Sequence, residues 1–312
     1  MDTISWNYVI AFYLFAAGVS AGALIASLIA DFSGNKRYER IVKIGAYIAP
    51  FPLNIGTFAL IFDLERPLSF WRLFTRFEAS SVMSIGAWIL LLFSFVSLII
   101  FYMHVPDRYD VLNLKPRISN GALSRIIKIG GFILAFATAT YTGVLLSVLV
   151  ARPFWNTSLL PMVFLFSAVI DGIAAIILVM YSLPRHTLPL EDLISSKYFL
   201  GKLDLAFLGL LWVSLLFLTA GLYQTTEHAN NAVVVIMGGP LTWAFWLGVI
   251  VIGMLLPLIY GVYEMLPSPS IPEVKRHKPL LALLVSSSVL IGGSMLRYVV
   301  VYAGQITGPI LQ

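Results

Sequence analysis

The stretch Phe62-Asp63-Leu64-Glu65-Arg66-Pro67-Leu68-Ser69-Phe70-Trp71-Arg72 places two acids, two arginines and a proline between two long apolar runs. Proline has no backbone N–H and crowds the preceding turn, so it stops a helix. Charges gathered at such a stop are expensive inside hydrocarbon. The stretch therefore reads as a connection at a membrane surface, closing one spanning helix before the next begins.

The rest of the sequence supports that reading. Of its 312 residues 59% are hydrophobic and 11% charged, with mean hydropathy +0.92. Soluble domains carry about 25% charged residues. Eight segments pass the length of about 20 apolar residues that a helical span needs. They run roughly over Val9–Ala30, Ile44–Phe62, Ser80–Met103, Ile129–Val150, Leu159–Leu183, Leu203–Tyr223, Leu241–Tyr263 and Pro279–Ala303. The fold class is an all-α integral membrane protein with eight transmembrane helices. No polar stretch is longer than a loop, so no separate globular domain is expected. Met1 to Trp6 carries no basic residue ahead of the first apolar run, unlike a signal peptide. Cysteine is absent, which excludes disulfides, thiolate metal sites and an iron–sulfur cluster held by this chain.

The net charge of +5 reports orientation rather than nucleic-acid binding. After the first span come Lys36, Arg37, Arg40 and Lys43. After the third come Arg108, Lys115, Arg117, Arg125 and Lys128. After the fifth come Arg185, Lys197 and Lys202, and after the seventh Lys275, Arg276 and Lys278. One face thus holds fifteen basic residues. The other holds four: Arg66, Arg72, Arg76 and Arg152. By the positive-inside rule the rich face is cytoplasmic, and both termini and the opening stretch lie outside.

Several local features follow. Pro50 and Pro52 should bend or break the second span, with neighbours covering the freed backbone groups, and Pro257 should act likewise in the seventh. Gly18 and Gly22 give the first span a small-residue face for close helix contact. Asn231 to Pro240 carries no charge and suits a re-entrant or surface-lying segment on the outer face. Tyr13-Leu14-Phe15-Ala16-Ala17 is faintly echoed by Phe164-Leu165-Phe166-Ser167-Ala168, as a parallel four-plus-four duplication would produce.

Two ionisable residues fall inside the apolar runs: Asp171 mid-way along the fifth and Arg297 in the outer half of the eighth. Each should face the bundle interior, as a static ion pair or as part of a proton pathway that could also include Glu264. A second group collects near the outer ends of the first, second and fourth spans: Tyr13, then Asp63, Glu65 and Arg66, then Tyr141 between Thr140 and Thr142. Interfacial tyrosines commonly serve as anchors. Phenol, carboxylate and guanidinium at one depth also make a set that can hydrogen-bond quinone oxygens and accept quinol protons. The four histidines, His104, His186, His228 and His277, fall in or near loops. A bis-histidine haem inside the bundle is thereby excluded, and a hydrolytic metal site is unsupported.

The sequence resembles the NrfD/PsrC-type membrane subunits of respiratory molybdopterin oxidoreductases along nearly its whole length. The likeness is carried by Tyr13-Leu14-Phe15 with Gly18 and Gly22, by Asp63-Leu64-Glu65-Arg66-Pro67, and by Ser84-Ile85-Gly86-Ala87-Trp88. It continues through Thr142-Gly143-Val144-Leu145-Leu146, Pro153-Phe154-Trp155, Gly238-Gly239-Pro240 and Phe245-Trp246. It closes on Gly292-Gly293, Arg297-Tyr298 and Gly304-Gln305. The resemblance implies two four-helix bundles, residues 1–151 with the quinol site and residues 152–312. It implies a haem-free cytoplasmic-membrane subunit that binds menaquinol near the outer surface. Electrons would pass to a ferredoxin-like subunit with four iron–sulfur clusters, then to a molybdopterin catalytic subunit acting on polysulfide or a similar compound. The quinone headgroup would be held by a tyrosine, here Tyr141, and by a polar residue of the first span, Asn7 or Tyr13.

On this reading the protein is a membrane anchor without a catalytic cofactor of its own, oxidising quinol at its own site. Asp63 or Glu65 takes up protons, Arg66 tunes or positions them, and the partner sits on the segment from Glu65 to Glu78. Three alternatives stand beside it. A proton, ion or solute transporter would use Asp171 and Arg297. A redox-linked proton-translocating subunit of another quinone-linked complex would add Glu264. A passive anchor would have no quinone site.

Overall fold

The computed structural model describes residues 6–63, 67–75, 77–110, 113–183, 190–225, 233–266 and 278–306. Eight helices in it are long and apolar enough to cross a membrane. They are α1 (Tyr8–Phe32), α2 (Lys36–Phe62), α3 (Val82–His104), α4 (Gly121–Ser147), α5 (Leu160–Ser182), α6 (Leu190–Thr225), α7 (Ala244–Met265) and α8 (Pro279–Ile306). The described residues include no strand, so the spans satisfy their backbone through helical hydrogen bonds, as hydrocarbon requires.

Three helices run well beyond their apolar cores. Helix α4 starts at Gly121, so Arg125 and Lys128 sit in its first turns, and Lys128 pairs with Asp31 at 2.8 Å. Helix α2 starts at Lys36 and α6 at Leu190, so Lys36 to Lys43 and Lys197 to Asp204 are helical rather than loop. On α2 the exposed Lys36, Arg37 and Lys43 keep their charge in water, whereas Lys197 of α6 is buried and paired with Glu264. In the loop after α3, Lys115 donates to Asp107 at 2.5 Å and to the Val105 carbonyl at 2.8 Å. That neighbour holds the exposed Asp107 carboxyl below the usual range.

Helices α1 and α5 lie at the centre. Helix α1 packs on α2, α4, α5 and α8, and α5 packs on α1, α4, α6 and α8. Their approach is backbone to backbone. A Cβ on Gly172 would fall 2.1 Å from the Gly22 carbonyl carbon, and one on Gly22 would fall 1.8 Å from the Ala168 carbonyl oxygen. Small residues at such crossings provide the van der Waals contact that holds helices together where lipid supplies no hydrophobic drive.

The prolines act where expected. Helix α2 breaks between Ile48 and Pro50, and the freed Leu53 N–H donates to Ser20 Oγ of α1 at 2.7 Å. Asn54 caps the other side, donating to the Pro50 carbonyl at 2.6 Å. Ahead of Pro257, α7 is wound as a π-helix over Ala244–Leu255, and Leu256 N–H reaches back to the Val251 carbonyl. The wider turn relieves the clash between the proline ring and the preceding turn.

At the basic-poor end, the first described residue is clasped to the last turn of α8. Trp6 N–H donates to Gln305 Oε1 at 2.8 Å, and Gln305 Nε2 donates back to the Trp6 carbonyl at 3.1 Å. Trp155 lies against Trp6, with ring centroids 5.0 Å apart, and its Nε1 donates to the Val300 carbonyl at 2.7 Å. Arg152 donates to the Gln305 carbonyl at 2.9 Å. The segment from Asn231 lies partly outside the described residues. From 233 to 237 it is helical, and Ile236 is buried.

Candidate functional site

Two polar clusters occupy the interior. The first lies at the basic-poor end, among α1 to α4. Tyr13 points inward from α1 and Tyr141 from α4, both almost fully buried. The Tyr13 backbone is held against α2, where a Cβ on Gly56 would lie 3.2 Å from Tyr13 Cα. The Tyr141 ring lies over Gly86 of α3, in space that a Cβ would fill: its Cζ is 1.6 Å from that position. Among the described residues neither phenolic hydroxyl has a hydrogen-bond partner. At the rim, Asn7 Nδ2 donates to Asp63 Oδ1 at 3.4 Å, joining the start of α1 to the end of α2. Glu65 and Arg66 lie outside the described residues.

An aromatic layer borders this cluster. Phe74 and Phe77 meet Trp88 of α3 edge-on, with centroids 6.3 and 6.4 Å apart. The Trp88 indole N–H is buried without a partner. Buried donors are normally satisfied, so each exception requires a reason. Two partnerless phenols at one end of an apolar bundle fit a quinone headgroup, whose carbonyls need donors and whose ring needs apolar walls.

The second cluster runs through α5 to α8. Arg297 and Asp171 are fully buried, and Nη1 donates to Asp171 Oδ2 at 2.8 Å and to the Gly293 carbonyl at 3.1 Å. The guanidinium lies over Phe164, 5.4 Å from the ring centroid. Its Nε and Nη2 are buried without partners. The pair fits because two glycines make room. A Cβ on Gly293 would lie 2.0 Å from Asp171 Oδ1, and one on Gly18 would lie 2.8 Å from Arg297 Nη2.

Glu264 does not join this pair. It lies towards the basic-rich end, bonded to Lys197 and accepting from Tyr260 OH at 2.6 Å, while Lys197 donates to that hydroxyl at 2.7 Å. Two separate small cavities lie at the two positions, and Val289 lines both. Asp171, Gly253 and Gly293 also line one, and Ser286, Asp204, Tyr260 and Glu264 the other.

Sequence reasoning placed Asp171, Arg297 and Glu264 in one route but missed Lys197, Asp204 and Tyr260. The signal for Lys197 and Asp204 was their spacing of seven, two turns along one face of α6. Gly86 was seen only as part of a resemblance, and nothing in the sequence marked it as the seat of Tyr141. Among the described residues no three His, Asp or Glu side chains gather as metal ligands would.

Comparison with known proteins adds the family. The profile described as "Polysulphide reductase, NrfD" matches residues 1–309. A chain of the polysulfide reductase of Wolinella succinogenes is 33% identical, over 97% of the present sequence and 95% of its own. A subunit of the selenate reductase of Mesobacillus selenatarsenatis is 26% identical, over 95% and 73%. The Hdr-like menaquinol oxidoreductase integral membrane subunit of Archaeoglobus fulgidus is 23% identical, over 83% and 62%.

Proposed function

The protein belongs to the NrfD family of multi-pass membrane proteins, and on that premise we propose that it is the anchor and quinol-oxidising subunit of a respiratory oxidoreductase complex. The observation that carries this reading is the pair of buried side chains of Tyr13 and Tyr141, whose hydroxyls have no hydrogen-bond partner among the described residues, at the end where Asn7 meets Asp63. The names of relatives, which include a menaquinol oxidoreductase subunit and components of two reductases, point the same way.

Menaquinol, when bound, supplies two electrons and two protons. Tyr13 and Tyr141 hold its oxygens by donating their hydroxyl protons. Gly86 keeps the Tyr141 ring low against α3, and the apolar walls of α1 to α4 keep bulk water from the headgroup. Asp63, with Asn7 beside it, takes up released protons at the rim, and Glu65 and Arg66 continue that exit towards the outside. The electrons leave to a ferredoxin-like subunit with four iron–sulfur clusters and then to a molybdopterin catalytic subunit. The seat for that partner is the segment from Glu65 to Glu78. There Trp71 and Phe77 expose aromatic surface beside Arg72, of the kind enriched at protein interfaces. Both termini face outward, and residues 1–151 and 152–312 form two four-helix bundles that meet along α1 and α5.

The test replaces Tyr141 with Phe in the intact complex and measures quinol-dependent reduction of the terminal acceptor. Loss of one hydrogen bond to the headgroup, about 1–1.5 kcal/mol, should weaken quinol and quinone-analogue binding about tenfold. Unchanged turnover with unchanged inhibition would remove Tyr141 from the site.

A second reading is favoured by the buried polar side chains that line two small neighbouring cavities between α5 and α8. In it, quinol oxidation drives protons along Lys197, Glu264 and Tyr260, then Asp204, then Asp171 and Arg297. Helix α1 connects the two clusters, because Tyr13 and Gly18 stand about 7.5 Å apart along its axis. The Asp171→Asn complex in proteoliposomes should oxidise quinol while building less membrane potential. An undiminished potential would leave Asp171 and Arg297 as a static pair.

A further inference from the structure

A separate cavity of about 830 Å³ opens at the basic-rich end between α2, the last turns of α5 and the first turns of α6. Its mouth carries Lys36, Arg37, Arg40 and Lys43. Two carboxylates, Glu39 and Asp192, also line it, and Glu39 is paired with Lys43 at 2.6 Å. The balance is positive. Lys36 and Arg37 are exposed and, among the described residues, form no ion pair.

Inward from these cations the wall turns apolar, with Ile48, Phe51 and Val179 along it. Lys43 and Phe51 are about 12 Å apart along the helix axis. That approaches half the thickness of the bilayer hydrocarbon, about 15 Å. The groove is fastened before anything enters it. Ser196 Oγ donates to the Arg37 carbonyl at 3.2 Å, and Tyr38 stacks on Phe199 with centroids 4.4 Å apart. Tyr47, also in the wall, has its hydroxyl committed to the His104 carbonyl at 2.7 Å and so presents only its ring.

We propose that this groove is a binding site for an anionic phospholipid, with the phosphate held by Lys36, Arg37 and Arg40 and an acyl chain laid along Tyr47, Ile48 and Phe51. A small soluble anion has no use for an apolar wall of that length. A zwitterionic lipid brings its own cation to a mouth that is already positive. The mixture of surplus positive charge at the interface and a half-bilayer apolar track selects a negative amphiphile. The site lies on the opposite face from the phenol cluster, so it stands whether or not quinol binds there.

The test is native mass spectrometry of the intact complex, released from nanodiscs of mixed phosphatidylglycerol and phosphatidylcholine. Phosphatidylglycerol should be retained in preference to phosphatidylcholine. The Lys36→Gln/Arg37→Gln double variant, exposed and without effect on packing, should lose that preference about thirtyfold at roughly one unit charge contact per residue. Ile48→Trp fills the track and should release the lipid while leaving every cation in place. Equal retention of both lipids overturns the proposal, as does a phosphatidylglycerol count unchanged in both variants. Displacement by millimolar inorganic phosphate would show a free-anion site instead.

Discussion

Arg297 meets Asp171 through one nitrogen, Nη1 to Oδ2 at 2.8 Å, and leaves Nε and Nη2 buried without partners. The pair is therefore asymmetric: the carboxylate is needed more by the arginine than a bidentate bridge would require. Replacing Asp171 with Asn leaves a buried guanidinium without its counter-charge, which costs about 3–5 kcal/mol. Thermal unfolding of the complex in detergent should show a clear drop in midpoint. The double variant Asp171→Leu/Arg297→Met should be milder than Asp171→Asn, because no isolated charge remains.

Gly293→Ala and Gly18→Ala crowd the same pair from two sides, and the distances predict their order. The first puts a methyl 2.0 Å from Asp171 Oδ1, whereas the second meets the tip of Arg297 at 2.8 Å. Overpacking of a tight core costs about 1–3 kcal/mol. Gly293→Ala should reach or exceed the top of that range, and Gly18→Ala should stay near the bottom. Equal midpoints for the two would contradict this packing.

Tyr13→Phe separates function from stability. Its hydroxyl has no partner among the described residues, so unfolding should shift by less than about 0.5 kcal/mol. Quinol KM should nevertheless rise. Gly86→Ala should do the reverse of a clean deletion: it pushes the Tyr141 ring out of its seat, damaging both quinone-analogue binding and the midpoint.

Ser20→Ala removes the acceptor for Leu53 N–H at the proline break in α2. An unpaired buried N–H costs about 1–3 kcal/mol. Hydrogen exchange at the Leu53 amide should accelerate, while amides of α3 near Gly86 stay protected.

The eight spans were legible because hydrocarbon leaves few ways to satisfy a backbone, so length and apolarity suffice. The pairing of Asp171 with Arg297 was legible for a related reason, since charges so deep must find each other. The pairing of Glu264 was not. Lys197 was counted as a loop residue because the apolar run begins at Leu203, yet α6 begins at Leu190. A lysine that finds a carboxylate partner inside the bundle lets a helix outrun its hydropathy, and hydropathy is what the sequence displays. The seat of Tyr141 on Gly86 depends on how α3 and α4 meet, and an apolar helix has too little amphipathic contrast to reveal which face meets which. Asp63 was placed near Tyr13 by depth alone; its partner proved to be Asn7, at a distance in sequence of 56.

The clasp of Trp6 on Gln305 bears on motion. Helices α1 and α8 are bonded there, and about 12 Å further along α8 the Arg297 guanidinium packs against Gly18. Splaying α1 from α8 would break the clasp's hydrogen bonds and uncover the buried guanidinium. The opposite flank of the Arg297–Asp171 pair is closed by α6 and α7, where Leu211, Val249 and Gly253 line the small cavity beside Asp171.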